Sequence, residues 1–308
     1  MRFDFVHCHG SGNDFPLIDA RGIKLSATDW AIVARALADR GGPVGGDGLL
    51  LLREGNGDAA FSMAMYNADG SEAETCLNGL RCVARAGFAA LGVDAARVRL
   101  KTSVAAVARA GDVAPGVYGV RETAGPVSLD AAAWPMRGHA RVIEAPVAEL
   151  GSPRAFTAVA MPNPHLVAFV DAVDEAELVR VGEVCEAALD WLPNRANVSF
   201  VEVRGADLFV RTHERGVGLT DSCGSAMGAS VYAACLTGRL PWDVETVVFN
   251  KGGLVRASAS RQASVTIVGN ATWEYAGSVA VDLATGCASG LVVTERFPDE
   301  IAAWERVR

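Results

Sequence analysis

The stretch YNADGSEAETCLNGLRC, Tyr66 to Cys82, sets a cysteine between a glycine-containing turn and a second glycine, immediately before a run with helical periodicity. Leu80, Val83, Ala84 and Phe88 recur at helical intervals, and the run stops near Gly92. Cys76 thus stands at a helix start. There, backbone N–H groups without intrahelical partners and the helix dipole favour a thiolate and can equally hold a carboxylate. Taken alone, the position suits a buried structural thiol, a reactive thiol, a metal ligand or half of a disulfide.

A second stretch repeats that layout. ERGVGLTDSCGSAMGASVYAACLTG, from Glu214, again runs through a glycine-rich turn, a short polar link and a cysteine, Cys223, into an alanine-rich helix. A small or amide residue lies two positions beyond each cysteine, Asn78 and Ser225. The letters match weakly and the order matches well, as expected of two homologous domains.

Around these two stretches the chain alternates short apolar runs with helical ones. Residues 2–8 and 14–19 read as strands, SATDWAIVARALADR as a helix capped at Ser26 or Thr28 with an apolar stripe at Trp30, Val33, Ala34 and Leu37, and 175–190 as another helix. GGPVGGDGLLLL reads as a glycine-rich loop entering a strand, and it lacks the Lys-Ser/Thr ending of a phosphate-binding loop. Proline- and alanine-rich connections near 122–135 suggest a boundary, giving halves of 1–122 plus 271–308 and of 123–270.

Composition narrows the function. With 28 Lys and Arg against 36 Asp and Glu, the net charge of −8 provides no basic field for nucleic acid or an anionic membrane. No stretch reaches the ~18 apolar residues of a membrane span, and Asp4 and two histidines interrupt the N-terminus where a signal peptide needs an apolar core. Seven cysteines without regular short spacing suit free thiols in a reducing compartment, so a cytoplasmic protein is expected. Cys82 and Cys235 fall inside their helices and read as packing residues; Cys8, Cys185 and Cys287 lack supporting neighbours.

Polar residues recur where glycine and proline fix the backbone: Asn13, Asn67, Asn163, His165, Asn197, Glu214 and Arg215. Singly, each has an ordinary role, such as an Asn bonding its own turn. Together they offer donors and acceptors suited to a zwitterionic amino acid.

GSGNDF, YNADGSEAETCLNGLRC, PNPHLV, RANVSF and ERGVGLTDSCGS, in that order across residues 1–280, resemble the diaminopimelate epimerases. The resemblance implies an α/β fold of two pseudo-symmetric domains, each a curved sheet around a central helix, with the active-site cleft between them. It implies epimerisation of L,L-diaminopimelate to the meso form, without cofactor or metal, by proton transfer between two cysteines, and a homodimer, common in that family. Cys76 and Cys223 correspond to the paired cysteines, and His165 and Glu214 to the other catalytic-site residues. Asn13, Asn67, Asn163, Asn197 and Arg215 correspond to substrate contacts, and the backbone at Leu77, Asn78, Gly224 and Ser225 would hold the reacting carboxylate.

This chain departs from the family pattern at Leu77, where glycine is usual, at Gly48, where glutamine is common, and at Pro162, Leu219, Ala226 and Met227. The first two bear on which amino acid is accepted. A racemase of the same fold acting on another amino acid, and a non-catalytic amino-acid-binding module, are the readings that compete.

Overall fold

The computed structural model describes residues 1–73, 76–134, 136–161 and 163–307; the Pro162 departure lies outside them. The chain divides into two compact units, Met1–Glu122 with Val268–Arg308 and Thr123–Ile267.

In the first unit the order is β1 (Arg2–Gly10), β2 (Asn13–Asp19), α1 (Ala27–Ala38), β3 (Gly48–Glu54), β4 (Phe61–Asn67), α2 (Leu77–Leu91), β5 (Ala95–Arg99), β6 (Val104–Arg109) and β7 (Gly119–Ala124). After a short strand β8 (Ala145–Pro146), the second unit runs β9 (Ala155–Met161), β10 (Asn163–Phe169), α3 (Glu175–Glu186), β11 (Asn197–Arg204), β12 (Asp207–Glu214), β13 (Gly218–Thr220), α4 (Gly224–Leu236), β14 (Thr246–Asn250), β15 (Gly253–Ser260) and β16 (Ser264–Asn270). The chain returns to the first unit within β16, at Val268, and continues there in β17 (Thr272–Asp282), β18 (Cys287–Arg296) and α5 (Pro298–Glu305).

Strand pairing displays the internal repeat that the letters only hint at. β1–β2, β3–β4 and β5–β6 are antiparallel, while β2–β3 and β4–β5 are parallel. The same alternation governs β9–β10, β11–β12 and β14–β15 (antiparallel) and β10–β11 and β12–β14 (parallel). The fold class is therefore α/β, with two pseudo-symmetric halves.

Each half surrounds one helix. Every residue of α4 from Gly224 to Cys235 is buried, which a sequence of Ala, Gly, Ser and Met permits because it has no polar face to solvate. α2 is buried along Leu77–Ala84 and again at Gly87 and Phe88. The outer helices are one-sided. α1 starts at a Ser26–Asp29 capping box and buries Trp30, Val33, Ala34 and Leu37 against Phe3, Ile18, Leu49 and Leu51, each such side chain contributing about 1.5–3 kcal/mol of burial. In the second unit, Leu178 and Val181 of α3 join Phe156, Leu166 and Phe200.

Among the described residues, no helix is long and apolar enough to cross a membrane. The C-terminal stretch forms a hairpin strand paired with β17 and then α5, whose Glu300 grips Arg85 of α2 at 2.6 and 2.7 Å. Arg85 also stacks against Tyr118 and Trp273.

Candidate active site

Both helix-start cysteines are N-caps in extended conformation. At Cys76 (φ −150°, ψ 103°) the Sγ accepts the Gly79 N–H at 3.3 Å, so a sulfur does the work usually given to a Ser or Asp oxygen. Cys76 is half-buried, and its S–H faces Asn13 Oδ1 at 3.8 Å. A donor and an acceptor thus share one sulfur.

The first turn of α2 is held from below by buried polar groups. Asn78 turns its Oδ1 into Arg81 Nη2 at 2.8 Å. The Arg81 guanidinium, fully buried, also donates to Ser11 Oγ, to the Asn270 carbonyl and to Glu122 Oε1. Burial pushes the Glu122 carboxyl up to about 7 despite Arg81. Asn270 in turn accepts the Ser11 N–H at 2.6 Å and donates to the His9 carbonyl. Gly10 lets this strand meet the helix, since a Cβ there would stand 2.5 Å from the Asn78 carbonyl oxygen. The sequence conceals most of this set. One signal was available: an arginine between Leu80, Cys82 and Val83 in an apolar helix needs a buried partner.

Asn13 is at the start of β2, and its Nδ2 donates to Asp47. Asn67, at the end of β4, donates to Ser71 within its own turn, the ordinary role for such a residue. Leu77 is largely buried, 9% exposed. A side chain at Gly48 would force the backbone to shift, because a Cβ there would fall 2.2 Å from the Tyr66 carbonyl oxygen.

In the second unit the expected residues form one connected set. The Arg215 N–H donates to Asn197 Oδ1 at 2.9 Å, which turns Asn197 Nδ2 towards the His165 ring. His165 then carries its proton on Nε2 and gives it to Asn163 Oδ1 at 3.2 Å. Asn163 Nδ2 donates to Ser225 Oγ at 3.2 Å, and that hydroxyl shares a hydrogen bond with Cys223 Sγ at 3.5 Å. His165 is fully buried, and burial, with the Arg215 charge, lowers its pKa to about 3. The imidazole is neutral at physiological pH.

Cys223 (φ −129°, ψ 109°) is buried at the start of α4, and Glu214 at the end of β12 hydrogen-bonds it. Burial, then the Glu214 charge, pushes the Cys223 thiol well above its ordinary value. Burial likewise raises Glu214 to about 7, against the opposing pull of Cys223 and Arg215. A carboxyl and a thiol thus lie side by side, each favouring its protonated form more than it does in water. Leu219 sits in the exposed strand β13, whereas Ala226 and Met227 are buried in α4.

Comparison with known proteins identifies the family. The diaminopimelate epimerase family model matches residues 5–126 and 157–274. A diaminopimelate epimerase from Clostridium acetobutylicum is 36% identical over 290 residues, covering 92% of this chain and 87% of its own length. One from Enterococcus faecalis is 37% identical over 304 residues, with 93% and 92% covered. Among solved structures, a PhzF-family phenazine biosynthesis protein from Bacillus anthracis shares the fold at a TM-score of 0.65 and 14% identity, covering 91% of this chain and 100% of its own. A hydroxyproline epimerase from Agrobacterium vitis does so at 0.63 and 12%, with 92% of each chain covered. Two cysteine-capped central helices in a repeated α/β framework, together with these relatives, mean that the chain belongs to the diaminopimelate epimerase family of pyridoxal-phosphate-independent isomerases.

Proposed function

We propose that this protein converts L,L-diaminopimelate to meso-diaminopimelate, with Cys76 and Cys223 as the two acid/base groups. The observation that carries the reading is that both cysteines cap the buried central helices of a repeated unit. One sulfur, as thiolate, removes the α-proton; the other, as thiol, delivers a proton to the opposite face, and the stereocentre inverts. The reverse reaction exchanges the roles.

Removing an α-proton beside a carboxylate builds negative charge, and that charge must be met. Helix starts supply oriented N–H groups for it, so the backbone of Leu77, Asn78, Gly224 and Ser225 is assigned to the reacting carboxylate. Glu214 exchanges a proton with Cys223 and keeps that pair near neutrality. His165, neutral and buried, holds Asn163 in place, while Asn13, Asn67, Asn163, Asn197 and Arg215 are assigned to the remaining amino and carboxylate groups. No cofactor enters these steps. The cytoplasm is the compartment in which free catalytic thiols persist, and a homodimer is the assembly assigned.

Purified protein in deuterium oxide tests the assignment. Deuterium should enter the α-carbon of diaminopimelate and not those of basic or aromatic amino acids. Exchange confined to another amino acid would replace diaminopimelate with that substrate. Cys76→Ala and Cys223→Ala should each abolish epimerisation; turnover unaffected by either would overturn the two-cysteine mechanism, and a parent protein that binds an amino acid but exchanges no α-proton would leave only a binding role.

A further inference from the structure

The Asn13 amide has two ends with opposite chemistry, and its orientation is not left to chance. Its Oδ1 faces Cys76 Sγ at 3.8 Å, while its Nδ2 donates to Oδ2 of Asp47 at 2.5 Å. An ionised carboxylate only accepts, so it is Asp47 that decides which end of the amide meets the sulfur. Asp47 is itself secured. Its N–H donates to the Asp14 carbonyl at 2.8 Å, its Oδ2 also accepts the Asp14 N–H at 3.2 Å, and its Oδ1 accepts Arg40 Nη2 at 2.7 Å. Arg40 in turn grips both Asp14 carboxylate oxygens at 2.8 and 2.6 Å.

We propose that Asp47, held by Arg40 and Asp14, is a positioning residue that locks the Asn13 amide with its acceptor end towards Cys76. This rests on the reading of Cys76 as an acid/base thiol. An acceptor at the sulfur favours the S–H form, which opposes the Gly79 N–H bond that favours the thiolate. The two contacts thus pull the sulfur in opposite directions. Without Asp47 the amide can turn over, present Nδ2 to the sulfur and tip that balance towards the thiolate.

The test is the pH profile of Cys76 alkylation by iodoacetamide in the full chain, followed by peptide mapping so that exposed Cys287 does not contribute. Asp47→Leu removes both the acceptor and the charge; Asp47→Asn removes the charge and keeps an acceptor. The leucine variant should move the profile to lower pH and speed alkylation near neutrality by roughly threefold, while the asparagine variant stays close to the parent. Equal shifts in both variants would mean that the carboxylate acts by its field alone, and no shift in a folded leucine variant would leave Asp47 a loop tie; either overturns the proposal. Should the leucine variant not fold, Asn13→Ala decides: losing the acceptor should also move the profile to lower pH, and an unchanged profile overturns the proposal. Alkylation requires no turnover. A parent protein that exchanges no amino-acid α-proton would defeat the proposed reaction while leaving the alkylation profiles readable.

Discussion

The His165 ring gives its Nε2 proton to Asn163 Oδ1 at 3.2 Å, and both the direction and the charge state of that bond are fixed by what surrounds the ring. Asn197, oriented by the Arg215 N–H, sets its Nδ2 3.5 Å from both ring nitrogens. With its pKa lowered to about 3, His165 transfers no proton between about pH 5 and 9. His165→Ala should therefore lower kcat/KM roughly tenfold to a hundredfold by releasing Asn163, while the acid limb of the pH–rate profile stays in place. Kinetics across that range check this. An acid limb that disappears with the ring would instead make His165 a titrating catalyst.

Glu214 carries a different pH signature. Its folded-state pKa, raised to about 7, lies above the ordinary carboxyl value, so its contribution to stability is full below the unfolded-state pKa and is lost as pH rises through about 7. Glu214→Gln removes the charge that burial penalises. Denaturant unfolding should show the variant matching the parent near pH 4 and exceeding it above about pH 8 by on the order of 2 kcal/mol. Epimerisation should fall sharply at every pH. A stability gap independent of pH would mean that Glu214 ionises normally in the folded protein.

The cysteines were legible because helix starts write themselves locally: a glycine turn, one residue, then an alanine-rich period. The polar partners of Cys223 were legible as residue types in rigid turns, although the order in which Arg215, Asn197, His165 and Asn163 connect depends on the parallel register that sets His165 opposite Asn197. Unit 1 was harder to read. Asp47 immediately precedes β3, and no local pattern marks its carboxylate as the partner of Asn13. The role of Arg81 depends on Glu122 and Asn270, far along the chain, and no local rule joins them. The C-terminal stretch gave no sign that Glu300 would reach Arg85.

Arg81 and Glu122 form a fully buried ion pair at 2.8 Å under the first turn of α2, and Glu122 Oε2 has no hydrogen-bond partner among the described residues. Arg81→Met would strand that carboxylate, at a cost of about 3–5 kcal/mol. Adding Glu122→Gln should recover a large part of the loss, because the uncompensated charge is gone. Urea unfolding of the single and double variants measures both terms. Activity should stay low in the double variant, since Asn78 and Ser11 have also lost their guanidinium partner; full recovery of activity would confine Arg81 to stability.

Gly48 decides whether the family's common glutamine could be restored to this chain. The antiparallel register of β3 and β4 sets Gly48 opposite Asn67, and the Tyr66 carbonyl oxygen fills the space a side chain would need. That neighbour is backbone within a sheet, so the strands must part to admit a Cβ. Gly48→Ala should cost about 1–3 kcal/mol, and Gly48→Gln should cost at least as much without improving KM for diaminopimelate. Thermal unfolding and steady-state kinetics on the two variants check this. A glutamine variant that folds normally and binds substrate more tightly would show that the start of β3 can rearrange around an added amide, and that glycine here serves specificity instead of packing.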